Sequence, residues 1–143
     1  MKSKHLSEWS VVMMIDTSIW IQFLRKNGDL NCKMLVVNAL RAGKACYTCP
    51  VQLELTSGAR RSEIANLKNC LKFATRVEVR AIHWDQAASL VRELKSRGLT
   101  VPVCDALIAS VADQSGMPIV CQDKHFTHIR DEVLPGLEVM TPA

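Results

Sequence analysis

Apolar positions along this chain alternate between two patterns: short unbroken runs and stripes at helical spacing. The first run, Val11-Val12-Met13-Met14-Ile15, is followed at once by Asp16-Thr17-Ser18. An unbroken apolar run bounded by polar residues fits a strand buried on both faces. The Asp-Thr-Ser triplet offers capping side chains to a helix that begins there. Asp16 is therefore expected where a central strand ends and a helix starts, the rim at which open α/β sheets bind ligands.

Ile19, Trp20, Phe23 and Leu24 then recur at helical spacing until Asn27-Gly28. A second stripe, Leu30, Met34, Val37 and Leu40, is opened by Asp29 or Asn31 and closed by Gly43. Residues 45–48 read as a strand. Pro50 suits the first position of a helix in which Val51, Leu53, Leu55 and Ala59 surround Glu54. Residues 62–75 are helical again, and Val77 and Val79 make a short strand. The clearest amphipathic helix covers residues 84–97, with Ala87, Leu90, Val91 and Leu94 on one side and Asp85 in its first turn. Residues 104–114 form a further helix, 118–121 a buried strand ending at Gln122-Asp123, and 137–140 a last strand. This alternation predicts one α/β domain over residues 11–143, with a mainly parallel central sheet flanked by helices on both faces. Residues 1–10 read as a polar extension ahead of it.

Composition narrows the picture modestly. With 48% hydrophobic and 22% charged residues the chain is an ordinary globular domain and not a disordered one. A net charge of +4 is a mild bias towards polyanions and carries no nucleic-acid claim alone. No apolar run approaches the ~18–20 residues of a membrane span, and a cytoplasmic location is expected. The six cysteines are scattered in apolar contexts, as buried packing residues are. Cys46 and Cys49 form a lone C-x-x-C without the second pair that a structural zinc site requires. There is no G-x-G-x-x-G, and Ala45 after Gly43-Lys44 breaks a P-loop.

The carboxylates change the picture most. Ten of the 14 acids have ordinary roles at helix starts or on polar faces; Asp16, Glu54, Asp105 and Asp123 instead lie beside core-forming residues, where an unpaired charge is costly. If the strands are parallel, these acids converge on one rim. No set of buried Lys or Arg is placed to neutralise them. Two carboxylates ~4 Å apart repel by roughly 4 kcal/mol at an effective dielectric of ~20, so four stay ionised together only with cations between them. Oxygen ligands suit Mg²⁺ or Mn²⁺, and such sites perform phosphoryl chemistry.

These residues resemble the PIN-domain family, and within it the VapC-type toxins of bacterial toxin–antitoxin pairs. The resemblance is carried by Met14-Ile15-Asp16-Thr17-Ser18-Ile19-Trp20, Leu53-Glu54-Leu55-Thr56-Ser57-Gly58-Ala59-Arg60, Asp105-Ala106-Leu107-Ile108-Ala109 and Asp123-Lys124-His125-Phe126-Thr127-His128-Ile129, in the family's order. It implies a metal-dependent endoribonuclease with Asp16, Glu54, Asp105 and Asp123 as catalytic and metal-binding acids and Mg²⁺ or Mn²⁺ as the ion. Thr17 or Ser18 would help to position water, metal or phosphate, or would cap the helix. The resemblance also implies an RNA substrate, a homodimer and a small VapB-like antitoxin that blocks the cleft. His125 departs from the pattern, since many relatives carry a further acid there. That departure keeps a non-catalytic binding module open as an alternative, and the acids alone also allow a small metal-dependent phosphatase. Lys44, Arg60, Arg61, Lys68, Lys72 and Lys124 are candidate contacts to a nucleic-acid backbone. With aromatics at only 5% of the chain, phosphate and shape readout are expected over base stacking.

Overall fold

A computed structural model describes residues 11–142; the extension expected over residues 1–10 lies outside them. The first apolar run becomes β1 (Met13–Ile15), every residue of which is buried. After it come α1 (Thr17–Leu24), α2 (Leu30–Arg41), β2 (Ala45–Thr48), α3 (Cys49–Gly58), a 3₁₀ turn (Arg61–Glu63), α4 (Ile64–Leu71), β3 (Thr75–Val77), α5 (Ala81–Ser96), α6 (Val103–Ser115), β4 (Ile119–Val120), α7 (His125–Glu132) and β5 (Val139–Met140). The five strands form one parallel sheet in the order β3-β2-β1-β4-β5.

This order places the site. The chain leaves β1 towards β2 and β3, then returns to the other side of β1 for β4 and β5. Right-handed crossovers put α1 to α4 on one face and α5 to α7 on the other. The packing agrees: α1 touches α2 and α3, while α6 touches α5 and α7. Between β1 and β4 the connections diverge to opposite faces and leave a crevice at the carboxyl ends of the strands. There α3, from one layer, meets α6, from the other. Trp20 anchors the first turn after β1, fully buried, with its indole N–H donating to the Ile15 carbonyl at 3.1 Å. Among the described residues no helix is long and apolar enough to cross a membrane.

Several local expectations shift. The helix predicted over 62–75 stops at Leu71, and the edge strand begins at Thr75. Helix α5 starts one turn before residue 84 because the buried His83 caps it, its Nδ1 accepting from Arg80 N–H at 2.8 Å. Asp85 therefore lies beyond the first turn. In α2 the buried residues are Cys32, Leu35, Val36 and Ala39, while Leu30 and Met34 face solvent at 67% and 55% exposure. This helix carries apolar residues nearly all round, so periodicity alone leaves its phase open. Lys44 precedes β2, at the end of the parallel sheet opposite the Asp16 rim, and is removed from the candidate substrate contacts of that rim.

The turn between α1 and α2 tests this packing. Asp29 caps α2 through Cys32 N–H at 2.9 Å and donates its own N–H to the Gln22 side chain at 2.9 Å. A Cβ on Gly28 would overlap the Gln22 carbonyl oxygen, which is backbone and cannot swing away. Gly28→Ala is expected to lower stability by about 1–3 kcal/mol or more. Gly58→Ala, at a helical position with open space around it, is expected to raise it by up to about 1 kcal/mol. Urea midpoints of both variants check this; equal shifts would show the turn to be more pliant than drawn.

Candidate active site

Asp16 leaves β1 at the crevice. Its backbone N–H donates to Val120 O on β4 at 3.0 Å, so the residue is still held by the sheet when its side chain turns to cap α1. The carboxylate is 2% exposed and accepts the Ser18 hydroxyl at 2.7 Å and the Ser18 N–H at 3.3 Å. The Ser18 hydroxyl in turn accepts Gln122 N–H at 3.2 Å. Ser18 thus ties the end of β1 to the loop after β4, which carries Asp123. Its neighbour Thr17, also buried, donates its hydroxyl to Glu54 Oε1 on α3 at 2.9 Å. The two hydroxyls expected to serve as caps or positioning groups therefore do separate jobs. Ser18 braces Asp16, and Thr17 steers Glu54 across the gap between α1 and α3.

The other side of the crevice is built by α6 and α7. Asp105 lies in the first turn of α6 and is buried. Asp123, half-buried, caps the following turn by accepting His125 N–H at 3.0 Å. The His125 ring then reaches across, with Nδ1 2.7 Å from Asp105 Oδ2 and 3.6 Å from Asp123 Oδ1. Asp105, Asp123 and His125 each offer one ligand atom, and these atoms lie within 4.8 Å of one another.

Asp16 and Asp105 respond to this neighbourhood. Burial is the largest cause that raises Asp16, to about 7 from the usual 3.8, and the charges of Asp123 and Asp105 add to it against the opposing Ser18 hydrogen bond. Asp105 is raised to about 6, first by burial and then by Asp123, with a further push from Glu54 against the opposing pull of His125. Among the described residues no Lys or Arg forms an ion pair with any of the four. Buried, mutually repelling oxygens without a resident cation are the donor set that a hard divalent ion requires, so the residues fit Mg²⁺ or Mn²⁺. The structure brings Asp16, Glu54, Asp105 and Asp123 into one electrostatic cluster, with Asp105 and Asp123 in the tighter group.

His125 stands out from the sequence only as a departure from the acid pattern, and the structure places it beside the acids. Its signal was present: it begins α7 two residues after Asp123, so the turn that Asp123 caps swings the ring over the acids. His128, one turn on, is exposed. The cysteines stay inert. Burial chiefly pushes the Cys121 thiol up to about 12 and the Cys32 thiol to about 11, and it also raises Cys104, which holds them as thiols. Cys46 and Cys49 gather no further metal ligands among the described residues.

The sequence profile of the PIN domain family matches residues 13–132. Solved structures with the same fold include DNA-bound VapBC from Salmonella typhimurium, at TM-score 0.75 and 18% identity over 93% of this chain and 99% of that one. VapBC2 from Rickettsia felis, bound to a DNA fragment from the promoter, matches at TM-score 0.73 and 19% identity over 90% and 97% of the two chains. VapBC-5 from Mycobacterium tuberculosis, a member of the VapBC family of toxin–antitoxin systems, matches at TM-score 0.65 and 22% identity over 91% and 98%. No curated protein sequence matches the chain.

The raised carboxyls make stability depend on pH. Between about pH 4 and 7 the folded, metal-free chain keeps a proton on Asp16 that the unfolded chain has released. The folded state binds more protons there, so this contribution falls as pH rises through the window and is absent above about 7. Asp16→Asn is expected to be nearly neutral at pH 4 and to stabilise the metal-free chain by roughly 2–4 kcal/mol at pH 8. Urea unfolding of both proteins in EDTA at several pH values measures the difference. A variant less stable than the parent at pH 8 would contradict the burial of this charge.

Proposed function

This chain belongs to the PIN domain family, and from that premise we propose that it is a metal-dependent endoribonuclease acting as the toxin of a toxin–antitoxin pair. The observation that carries the proposal is the cluster of Asp16, Glu54, Asp105 and Asp123 at the sheet rim, with two members pushed up by burial and, among the described residues, no Lys or Arg paired to them. A Mg²⁺ or Mn²⁺ ion held there supplies Lewis-acid polarisation of the scissile phosphate and activation of the attacking water.

The chain's own residues supply the geometry. Asp16, Asp105 and Asp123 would hold the ion, with Asp16 fixed by the β4 ladder and Ser18. Glu54, steered by Thr17, would join them as a further ligand or orient water from α3. Hydrolysis forms one P–O bond to water and breaks one to a ribose oxygen. The attacking water gives up one proton, the departing ribose oxygen gains one, and the negative charge that grows on the phosphate meanwhile is what a cation bound by these acids would stabilise. Lys124, exposed between Asp123 and His125, sits where an RNA backbone entering the crevice would pass.

The partner reading draws on the structural neighbours, which are complexes of VapBC and related systems. We propose a small VapB-like antitoxin as the cognate partner and a homodimer as the assembled toxin. A cytoplasmic location follows from that role.

The purified chain should cut RNA with Mg²⁺ or Mn²⁺, stop in EDTA, and lose at least about 10²-fold in rate on Asp16→Asn, with the fold intact by circular dichroism. Gel assays on total RNA read all three outcomes. Robust cutting in EDTA, or a fully active Asp16→Asn, would end the nuclease reading, whereas RNA binding without turnover under every metal would favour a binding module. Induction without antitoxin should arrest growth for the parent and spare it for Asp16→Asn. Unhindered growth with an active enzyme would remove the toxin role alone.

A further inference from the structure

The histidine at the outer end of the cluster has no part in the acid-only scheme. We infer that His125 is a nitrogen ligand of the site's divalent cation, so that a mixed nitrogen–oxygen donor set favours Mn²⁺ or another first-row transition ion over Mg²⁺; the inference rests on the metal-dependent reading above.

The geometry comes first. Ligands about 2.1 Å from an octahedral ion lie about 3 Å apart when they are neighbours. The His125 Nδ1 distances of 2.7 Å to Asp105 Oδ2 and 3.6 Å to Asp123 Oδ1 bracket that spacing. One atom from each of the three residues lies within 4.8 Å of the other two, so small side-chain rotations bring all three onto one ion. The backbone adds precision. His125 N–H is bonded to Asp123 Oδ1 at 3.0 Å, so the ring and that carboxylate are set by the same turn. The imidazole is 42% exposed and Asp105 only 10% by side chain. The ring therefore stands at the open, solvent side of the cluster and the acid at its floor.

A purely electrostatic role would look different. A residue that serves only to neutralise Asp105 needs no closeness to Asp123, and a Lys or Arg would do it with a permanent charge. An imidazole nitrogen carries a lone pair that a metal can share, which an ammonium or guanidinium does not. Mg²⁺ demands oxygen and sheds water reluctantly, whereas transition ions accept imidazole readily. Replacing an acid by His125 thus removes one negative charge from the site and biases its choice of ion.

Electron spin-echo spectroscopy of the full-length protein loaded with Mn²⁺ should show coupling to ¹⁴N that changes on ¹⁵N-histidine labelling and vanishes in His125→Gln. Calorimetry should find Mn²⁺ affinity lowered about tenfold or more in His125→Gln, with a smaller loss for Mg²⁺. His125→Asp should shift the Mn²⁺-to-Mg²⁺ affinity ratio towards Mg²⁺. Should His125→Gln fold poorly, His125→Asp, which keeps a ligand at the position, must lose the same ¹⁴N coupling. Bound Mn²⁺ without nitrogen coupling, or with a coupling that survives His125→Gln, overturns this inference and leaves the metal-dependent reading standing. No Mn²⁺ or Mg²⁺ binding at all overturns both.

Discussion

The carboxylate of Asp16 is almost wholly buried at the carboxyl end of a strand whose three residues are themselves buried. Desolvation alone disfavours that charge by more than any neighbour does. The fold places three further acids within range and, among the described residues, no Lys or Arg paired to them, so the acids are held in electrostatic tension. Protons on the acids and His125 against Asp105 relieve part of it. A divalent ion bound there would relieve more, and its binding would then be coupled to stability and to proton release.

That tension is tolerable because of topology. A parallel sheet sends every strand's carboxyl end to the same edge, and the change of direction on either side of β1 opens a gap there. Asp16 and Asp123 arrive on adjacent strand ends, β1 and β4. Glu54 and Asp105 arrive on helices from opposite layers, α3 and α6, which meet over the gap. Four positions that span more than a hundred residues thus form one cluster without a long loop. The strands themselves are only two to four residues long, so the sheet serves chiefly to fix the height and spacing of the groups at its rim.

Hydroxyls and one imidazole do the fine positioning. Ser18 links Asp16 to the chain after β4, and Thr17 links α1 to the acid on α3. Each hydroxyl donates to a carboxylate, an interaction stronger than a neutral hydrogen bond and one that holds the oxygen acceptors in place without neutralising them. His125 does for Asp105 and Asp123 what no acid at its position could do, which is to attract both.

The sequence by itself determined the alternation of strands and helices, the parallel sheet and the four acids, because each is written locally: an unbroken apolar run, a capping triplet, a carboxylate amid core residues. It also singled out Asp16, a charge at the end of a buried run, which in the structure both caps α1 and lies among the other acids. Tertiary structure decided what depends on distance between segments. The phase of α2 was one such matter, because Cys32 and Ala39 share the helix with larger apolar residues and only packing chooses between faces. The start of α5, by contrast, is a local matter that apolar periodicity misses, set by His83 capping the Arg80 N–H three residues before it. The division of labour between Thr17 and Ser18 depended on which helix lay opposite each hydroxyl, and the place of His125 depended on a turn capped by Asp123 and on the arrival of α6. Short-range patterns survive in one dimension because they reflect the chain's own geometry; a contact between residues 20 or more positions apart is settled by how whole layers pack.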